Sequence, residues 1–161
     1  MLRLIGMEKI SIRHAKQEDL EKVIDLGHDM FVAEKAFEPR LTFDRNESLS
    51  HYMEELGNND ALIIVAETTG EIVGYQYSYI TELDYLEGNI KECHLEAIYV
   101  EPEYRHHGIA EVMMDKTEEW ARQRGAQRMK AGIYNDNVAS RKLHEKHGFS
   151  EYYVEYTKPL D

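Results

Sequence analysis

Residues 98–110 read Ile98-Tyr99-Val100-Glu101-Pro102-Glu103-Tyr104-Arg105-His106-His107-Gly108-Ile109-Ala110. An apolar strand ends at Val100, a proline turn follows, and Gly108 opens a helix whose buried stripe is Ile109, Val112, Met113 and Trp120. A helix start carries unpaired N–H groups and the positive end of the dipole, and small residues such as Gly108 and Ala110 let an anion approach the backbone. Neither the three-glycine spacing of dinucleotide folds nor the Gly-Lys-Ser/Thr of a phosphate loop is present. Taken alone, the stretch reads equally as a structural turn.

The flanking sequence supplies the rest of an α/β domain. Glu8 to Arg13 alternates as a first strand, and Leu20, Val23, Ile24, Gly27 and Phe31 give the apolar spacing of a helix. A second helix is expected from Glu47 to Leu56, ending at Gly57. ALIIVAE and IVGYQYSYI form a hairpin, with Val73, Tyr75, Tyr77 and Tyr79 on one face and Ile72, Gly74, Gln76 and Ser78 on the other. The acidic stretch TELDYLEGN reads as a loop before a central strand, Cys93 to Val100. After the helix that stops at Gly125 come a strand RMKAGIY, a helix between Asn137 and Gly148, and a last strand EYYVEYTK. The expected order is βααβββαβαβ, one domain over residues 1–161 with a mixed, mostly antiparallel sheet flanked by helices. Residues 1–6 read as a loosely attached start, and Met7 is a second candidate initiator.

The 161 residues carry 19 Lys+Arg against 31 Asp+Glu, a formal net charge of −12. That balance argues against nucleic acid or an anionic membrane as partner and suits a cationic one. The charge is uneven: residues 1–100 hold 9 basic and 20 acidic side chains, whereas residues 121–146 carry a local net of +5. A single cysteine, Cys93, excludes an internal disulfide and fits a reducing, cytoplasmic setting. No run of ~18 apolar residues offers a membrane span. His144 and His147 stand three apart without a third ligand, so no metal is expected.

Arg105, Gly108 and Ala110 match Arg/Gln-x-x-Gly-x-Gly/Ala, and Asn137, Ser140, Gly148 and Phe149 match Asn-x-x-Ser/Ala … Gly-Phe. On these two motifs, in this order, the chain resembles the GNAT N-acetyltransferases along essentially its whole length, most strongly from Glu92 onward. The resemblance implies acetyl-CoA as cosubstrate, held in a gap between splayed fourth and fifth strands. Its pyrophosphate would rest on the amides of Arg105, His106, His107, Gly108, Ile109 and Ala110, its pantetheine would pair with the backbone of Ile98, Tyr99 and Val100, and Asn137 would touch the arm. The basic stretch 121–146 agrees with an anionic ligand there.

Acetylating a primary amine, whose pKa is ~10.4, needs a base to remove a proton. Glu96, mid-strand and in step with Ile98 and Val100, is the candidate; Glu92 on the same face is the alternative, and a structural ion pair is the competing role. Many GNAT enzymes place a tyrosine acid where this chain has His144, and an imidazole can do that work. Tyr134 and Tyr104 are substitutes, and a central-strand amide, of Ile98 or Val100, could meet the oxyanion. Glu34, Glu38, Asp84 and Glu87 are candidate guides for a cationic substrate.

His144 with Asn137, Ser140 and Leu95 to Val100 is most similar to two subgroups, the aminoglycoside 6'-N-acetyltransferases and the phosphinothricin-type acetyltransferases. The tryptophan-containing first helix of the aminoglycoside group is absent, and its acidic residue on the fifth strand would fall at Gly132. The expected activity is acetyl transfer from acetyl-CoA to a cationic small-molecule amine, by direct attack in a ternary complex. Acetylation of a peptide or protein, and acetyl-CoA sensing without catalysis, are the alternatives. A homodimer is open, since many relatives are dimers.

Overall fold

In the computed structural model, residues 10–85 and 88–160 are described, with side chains given outside 84–88. The elements are β1 (Ser11–His14), α1 (Leu20–Glu34), α2 (Arg45–Leu56), β2 (Ala61–Thr68), β3 (Glu71–Tyr85), β4 (Gly88–Val100), α3 (Ile109–Gln123), β5 (Arg128–Ala131) and α4 (Val138–Lys146). The sheet runs β1-β2-β3-β4-β5. The first four strands are antiparallel and β5 joins β4 in parallel, giving the mixed α/β architecture expected. No helix among the described residues is long and apolar enough to cross a membrane.

The sheet buries both faces because two different apolar sets alternate along its strands. On one face Val23 and Leu26 of α1 pack on Ile63, Val65, Tyr75, Tyr77 and Ala97. On the other, Ile109 and Met113 of α3 pack on Leu62, Ile64, Val73 and Val100. Gly27 lets α1 come close, since a Cβ there would stand 3.1 Å from the Tyr75 hydroxyl oxygen. Arg13 ties β1 to the start of α1 through Asp19 at 2.6 Å and to β2 through Glu67. Lys22 of α1 reaches Glu101, just past β4, at 2.6 Å.

Two bulges change which way side chains point. In β3 the pairing steps from Gly74 opposite Ala66 to Ile72 opposite Glu67, leaving Val73 as the extra residue. Val73 therefore joins the α3 face and Ile72 the tyrosine face, the reverse of simple alternation. In β4 the pairing steps from Leu95 opposite Ser78 to Ala97 opposite Tyr77, so Glu96 is the extra residue.

Three further differences separate expectation from structure. The stretch TELDYLEGN is largely strand: β3 runs on to Tyr85 and β4 begins at Gly88, with Leu83 opposite Ile90. An apolar cross-strand pair inside a charged segment carries the hairpin outward. β5 stops at Ala131, short of the expected Tyr134. Residues 151–160 form no strand, and Tyr152, Tyr153, Val154 and Tyr156 are exposed. That segment has strand-forming composition without a ladder partner, and composition alone does not hold a strand. It is tied to the body by Arg141 to Glu151 at 2.7 Å and by the Arg128 guanidinium 5.0 Å from the Tyr152 ring centre.

Candidate active site

The site begins with strand pairing. β4 pairs with β3 as far as Val100, but with β5 only from Glu92 to Leu95. Beyond Leu95 the pairing stops, because β5 ends at Ala131, and the β4 edge from Glu96 to Val100 is left without a ladder partner on that side. Backbone groups on such an edge can bind an extended ligand as a strand would. Gly132, just past the end of β5, has nothing within 4 Å of where a Cβ would stand.

At the end of β4 the chain turns through Pro102–Tyr104 into the start of α3. His106 (φ 63°) and Gly108 (φ 77°) are both left-handed, bracketing His107. Alternating backbone hands turn successive N–H groups inward, which makes an anion-binding concavity. The first intrahelical bond at this end runs from Val112 N to Gly108 O at 3.1 Å, so helix geometry leaves the amides before it free of an intrahelical partner, whereas the Arg105 amide, expected in the cradle, is taken by the Pro102 carbonyl at 3.3 Å. Arg105 turns back: its Nε donates to the Val100 carbonyl at 2.8 Å and its guanidinium covers the Tyr99 ring. Ile109 is core by its side chain, so its contribution here is its backbone amide. Glu111 in the first turn is met by Lys146 of α4 at 2.9 Å, which holds its carboxyl below the usual range. Asn137 caps α4, its Oδ1 accepting from Ser140 N at 3.1 Å.

The positive charge of residues 121–146 is less available than its count suggested. Arg122 pairs with Glu118, Arg124 with Asp60, Arg128 with Glu92, Arg141 with Glu145 and Glu151, and Lys146 with Glu111. Lys130 and Lys142 make no ion pair among the described residues. An anion at residues 106–110 would therefore meet backbone amides more than basic side chains.

On the α1/α2 side of the gap, the bulge turns Glu96 away from Ile98 and Val100 and toward the tyrosines. It lines a cavity of about 380 Å³ with His51, Glu55, Asn58, Tyr77 and Tyr79. Glu34, at the end of α1, has its carboxyl pushed above the usual range by burial and then by the charge of Glu96. Two sequence-predicted carboxylates are therefore brought to one place. Glu38 is not with them in role, since Arg40 occupies both its oxygens at 3.0 and 3.1 Å. The side chain of Asp84 and all of Glu87 lie outside the described residues.

Glu92 proves to be a buried pillar. It is 1% exposed, bonded to Arg128 across the β4–β5 pairing, and 2.9 Å from His94 Nε2. Contact with a carboxylate places the proton on Nε2. The His94 ring lies flat on Tyr79, centroids 4.9 Å apart at 4°, and the Tyr79 hydroxyl is turned toward Glu96. Arg128 and His94 were missed in the sequence because only the parallel register of β5 brings Arg128 opposite Glu92.

His144, on α4, is buried at 3% exposure. Its Nδ1 lies 2.8 Å from the Ser140 carbonyl and so carries the proton, leaving Nε2 buried without a partner among the described residues. Burial lowers its pKa. Tyr134 stacks on Phe37 across the gap, with centroids 5.9 Å apart, and its phenol pKa is raised by burial and then by Glu34 and Glu38. Tyr104 packs instead against the α3-side core.

A β4 edge left unpaired beyond Leu95, a left-handed turn into a helix start and a carboxylate bulged toward the tyrosines are set together on this α/β fold. Residues 23–149 match the model of the acetyltransferase (GNAT) family, and the chain belongs to that family. Acetyl transfer is the reaction class this membership gives. Among solved structures the chain is similar in fold to the aminoglycoside N-acetyltransferase AAC(6')-Iy in complex with CoA, at 22% identity and a TM-score of 0.76, covering 98% of this chain and 100% of that one. It is similar to glucosamine-6-phosphate N-acetyltransferase from Arabidopsis thaliana at 19% identity and a TM-score of 0.73, covering 96% and 100%. It is also similar to a predicted acetyltransferase with acetyl-CoA from Clostridium acetobutylicum, at 19% identity and a TM-score of 0.77, covering 92% and 96%.

Proposed function

We propose that the chain transfers the acetyl group of acetyl-CoA to the primary amine of a cationic small molecule, by direct attack in a ternary complex. The observation that carries this is the β4 edge beyond Leu95, which has no strand partner on the β5 side, with the left-handed turn and helix-start amides at one end and an acidic, tyrosine-lined cavity beside it. A phosphate-bearing thioester suits the first and an ammonium suits the second. CoA or acetyl-CoA in solved neighbours of the same fold supports the cosubstrate.

In this reading the amides of residues 106–110 hold the pyrophosphate, the backbone of Ile98 and Tyr99 pairs with the pantetheine, the Arg105 amide and the Val100 carbonyl being already bonded within the chain, and the amide nitrogen of Asn137 is left for the arm. Glu96 and Glu34 draw the ammonium in, and Glu96 takes its proton, directly or through water. The neutral nitrogen then attacks the thioester carbon; the C–N bond forms, a β4 amide meets the oxyanion, and the C–S bond breaks. The departing thiolate needs a proton. A phenol holds its proton at neutral pH, and burial raises the Tyr134 pKa further while lowering that of His144, so Tyr134 has a proton to give and His144 offers Nε2 as an acceptor.

The test is release of free CoA thiol from acetyl-CoA with a panel of aminoglycosides, polyamines, amino acids and peptides. Turnover on cationic small molecules supports the reading. Turnover confined to peptides makes the chain a peptide acetyltransferase, and binding of acetyl-CoA without turnover on any amine makes it a sensor.

A further inference from the structure

We propose that the acceptor is a linear diamine or polyamine, with its reacting nitrogen at Glu96 and its second ammonium at Glu55; the proposal rests on the acetyl-transfer reading of this site. Two carboxylates line the cavity, and neither has a Lys or Arg partner among the described residues. Elsewhere such partners are common: Glu67, Glu92, Glu101 and Glu111 each have one.

Their placement follows from the strand. The Tyr79 hydroxyl is turned toward Glu96 and the Tyr77 hydroxyl toward Glu55. Tyr77 and Tyr79 are two residues apart on β3 and so lie on one face of the strand. Their rings lie side by side with centroids 5.8 Å apart, tilted by 34°. Between the two charges the wall is therefore aromatic, a surface that takes methylene groups and adds attraction for an ammonium. An extended chain with a cation at each end matches this pattern of charge, ring, ring, charge.

Glu55 also stands where a helix disfavours it. It falls in the last turn of α2 beside Glu54, with no basic residue in that turn, so both carboxylates face the negative end of the dipole. Its neutral partner is Asn58, whose Nδ2 donates at 3.2 Å. A second ammonium would relieve that arrangement.

The lining disfavours other acceptor classes. It contains no lysine or arginine, so a carboxylated or phosphorylated amine would meet only like charge. A sugar ring needs many hydrogen-bond partners along its length, whereas here Asn58 and His51 flank a wall of tyrosine rings, His51 itself lying edge-on to Tyr77.

The experiment compares kcat/KM for 1,4-diaminobutane, 1-aminobutane and neamine by CoA thiol release, in the parent chain and in Glu55→Gln. The diamine should exceed the monoamine by ~10-fold or more through KM, and Glu55→Gln should shrink that ratio by ~10-fold, the worth of one charge-assisted contact. As a second readout, 1,4-diaminobutane alone should raise the melting temperature of the parent chain more than that of the variant. Equal use of the two amines, a ratio untouched by Glu55→Gln, or preference for neamine overturns the diamine and leaves acetyl transfer standing. No thiol release with any of the wider amine panel overturns the acetyl-transfer reading, and this proposal with it.

Discussion

The two sides of the β4 gap are built from different material. The side that begins at Val100 and ends in α3 presents backbone: a free strand edge, two left-handed residues and the open amides of a helix start. The side under α1 and α2 presents side chains: Glu34, Glu55 and Glu96 among Tyr77, Tyr79 and Tyr134. Backbone can hold the part of a ligand that never changes. Side chains on a strand hold the part that one substitution can change, which suits a fold that keeps one donor and varies its acceptor.

The sharpest way to break this division is to damage each side alone. Glu96→Gln removes the proposed base and no backbone group, so kcat/KM should fall ~10²–10⁴-fold, the usual worth of a positioned acid or base. Protection of the chain by acetyl-CoA in a thermal melt should survive. If the variant keeps its kcat/KM and pH profile, Glu96 is not the base.

Gly108→Val does the reverse. Its φ of 77° places a β-branched residue in the left-handed region, at a cost of ~1–2 kcal/mol, and crowds the cradle with methyl groups. Acetyl-CoA at a hundred times its dissociation constant should stabilise the parent by ~2.7 kcal/mol. In the variant that protection should be absent, and retained protection would remove residues 106–110 from the donor site.

These two sides were unequally legible in the sequence, for a physical reason. The backbone side is written locally: Pro102, Gly108, Ala110 and Asn137 each set conformation within a few residues, so spacing alone carries the cradle and the α4 cap. The side-chain side depends on register, and two bulges move it. Strict alternation pairs Glu96 with Ile98 and Val73 with the tyrosines, and the structure reverses both. No residue type marks either bulge, since Val73 and Glu96 sit inside ordinary strand patterns. The hairpin extension through Leu83 and Ile90, the unpaired 151–160 segment and the Glu92–Arg128 contact are likewise matters of partner rather than of local pattern.

Tyr134 and His144 separate the two sides more finely, because they stand on the segment and helix that follow β5. Tyr134→Phe should lower kcat by ~10²-fold if its phenol protonates the thiolate, with little change in acetyl-CoA protection. A larger loss of kcat in His144→Phe than in Tyr134→Phe would transfer that role to the imidazole.

Arg128 and Glu92 stand opposite each other at one end of the β4–β5 ladder, so they test whether that ladder needs an anchor. Arg128→Met leaves a carboxylate at 1% exposure without its guanidinium. The loss should approach, without reaching, the ~3–5 kcal/mol of a fully buried pair, because the Arg128 side chain is 34% exposed. Arg128→Met with Glu92→Leu should recover much of it, since the unpaired charge goes too. If the single variant melts like the parent, the pair does not hold β5 to β4.

The smallest effect concerns the pH dependence of stability. Burial lowers the His144 pKa below its ordinary value of 6.5, so the unfolded chain takes up a proton there before the folded chain does. Its share of stability is therefore complete above pH 6.5 and is lost as pH falls through that value toward the folded pKa. His144→Phe removes the titrating group while keeping a ring beside Phe149, whose centroid is 5.1 Å from that of the imidazole. Melting temperatures between pH 7.5 and 5.5 should fall less steeply for the variant than for the parent. Equal slopes would mean that the imidazole protonates as readily in the folded chain as in the unfolded one, which would restore it as a ready proton donor.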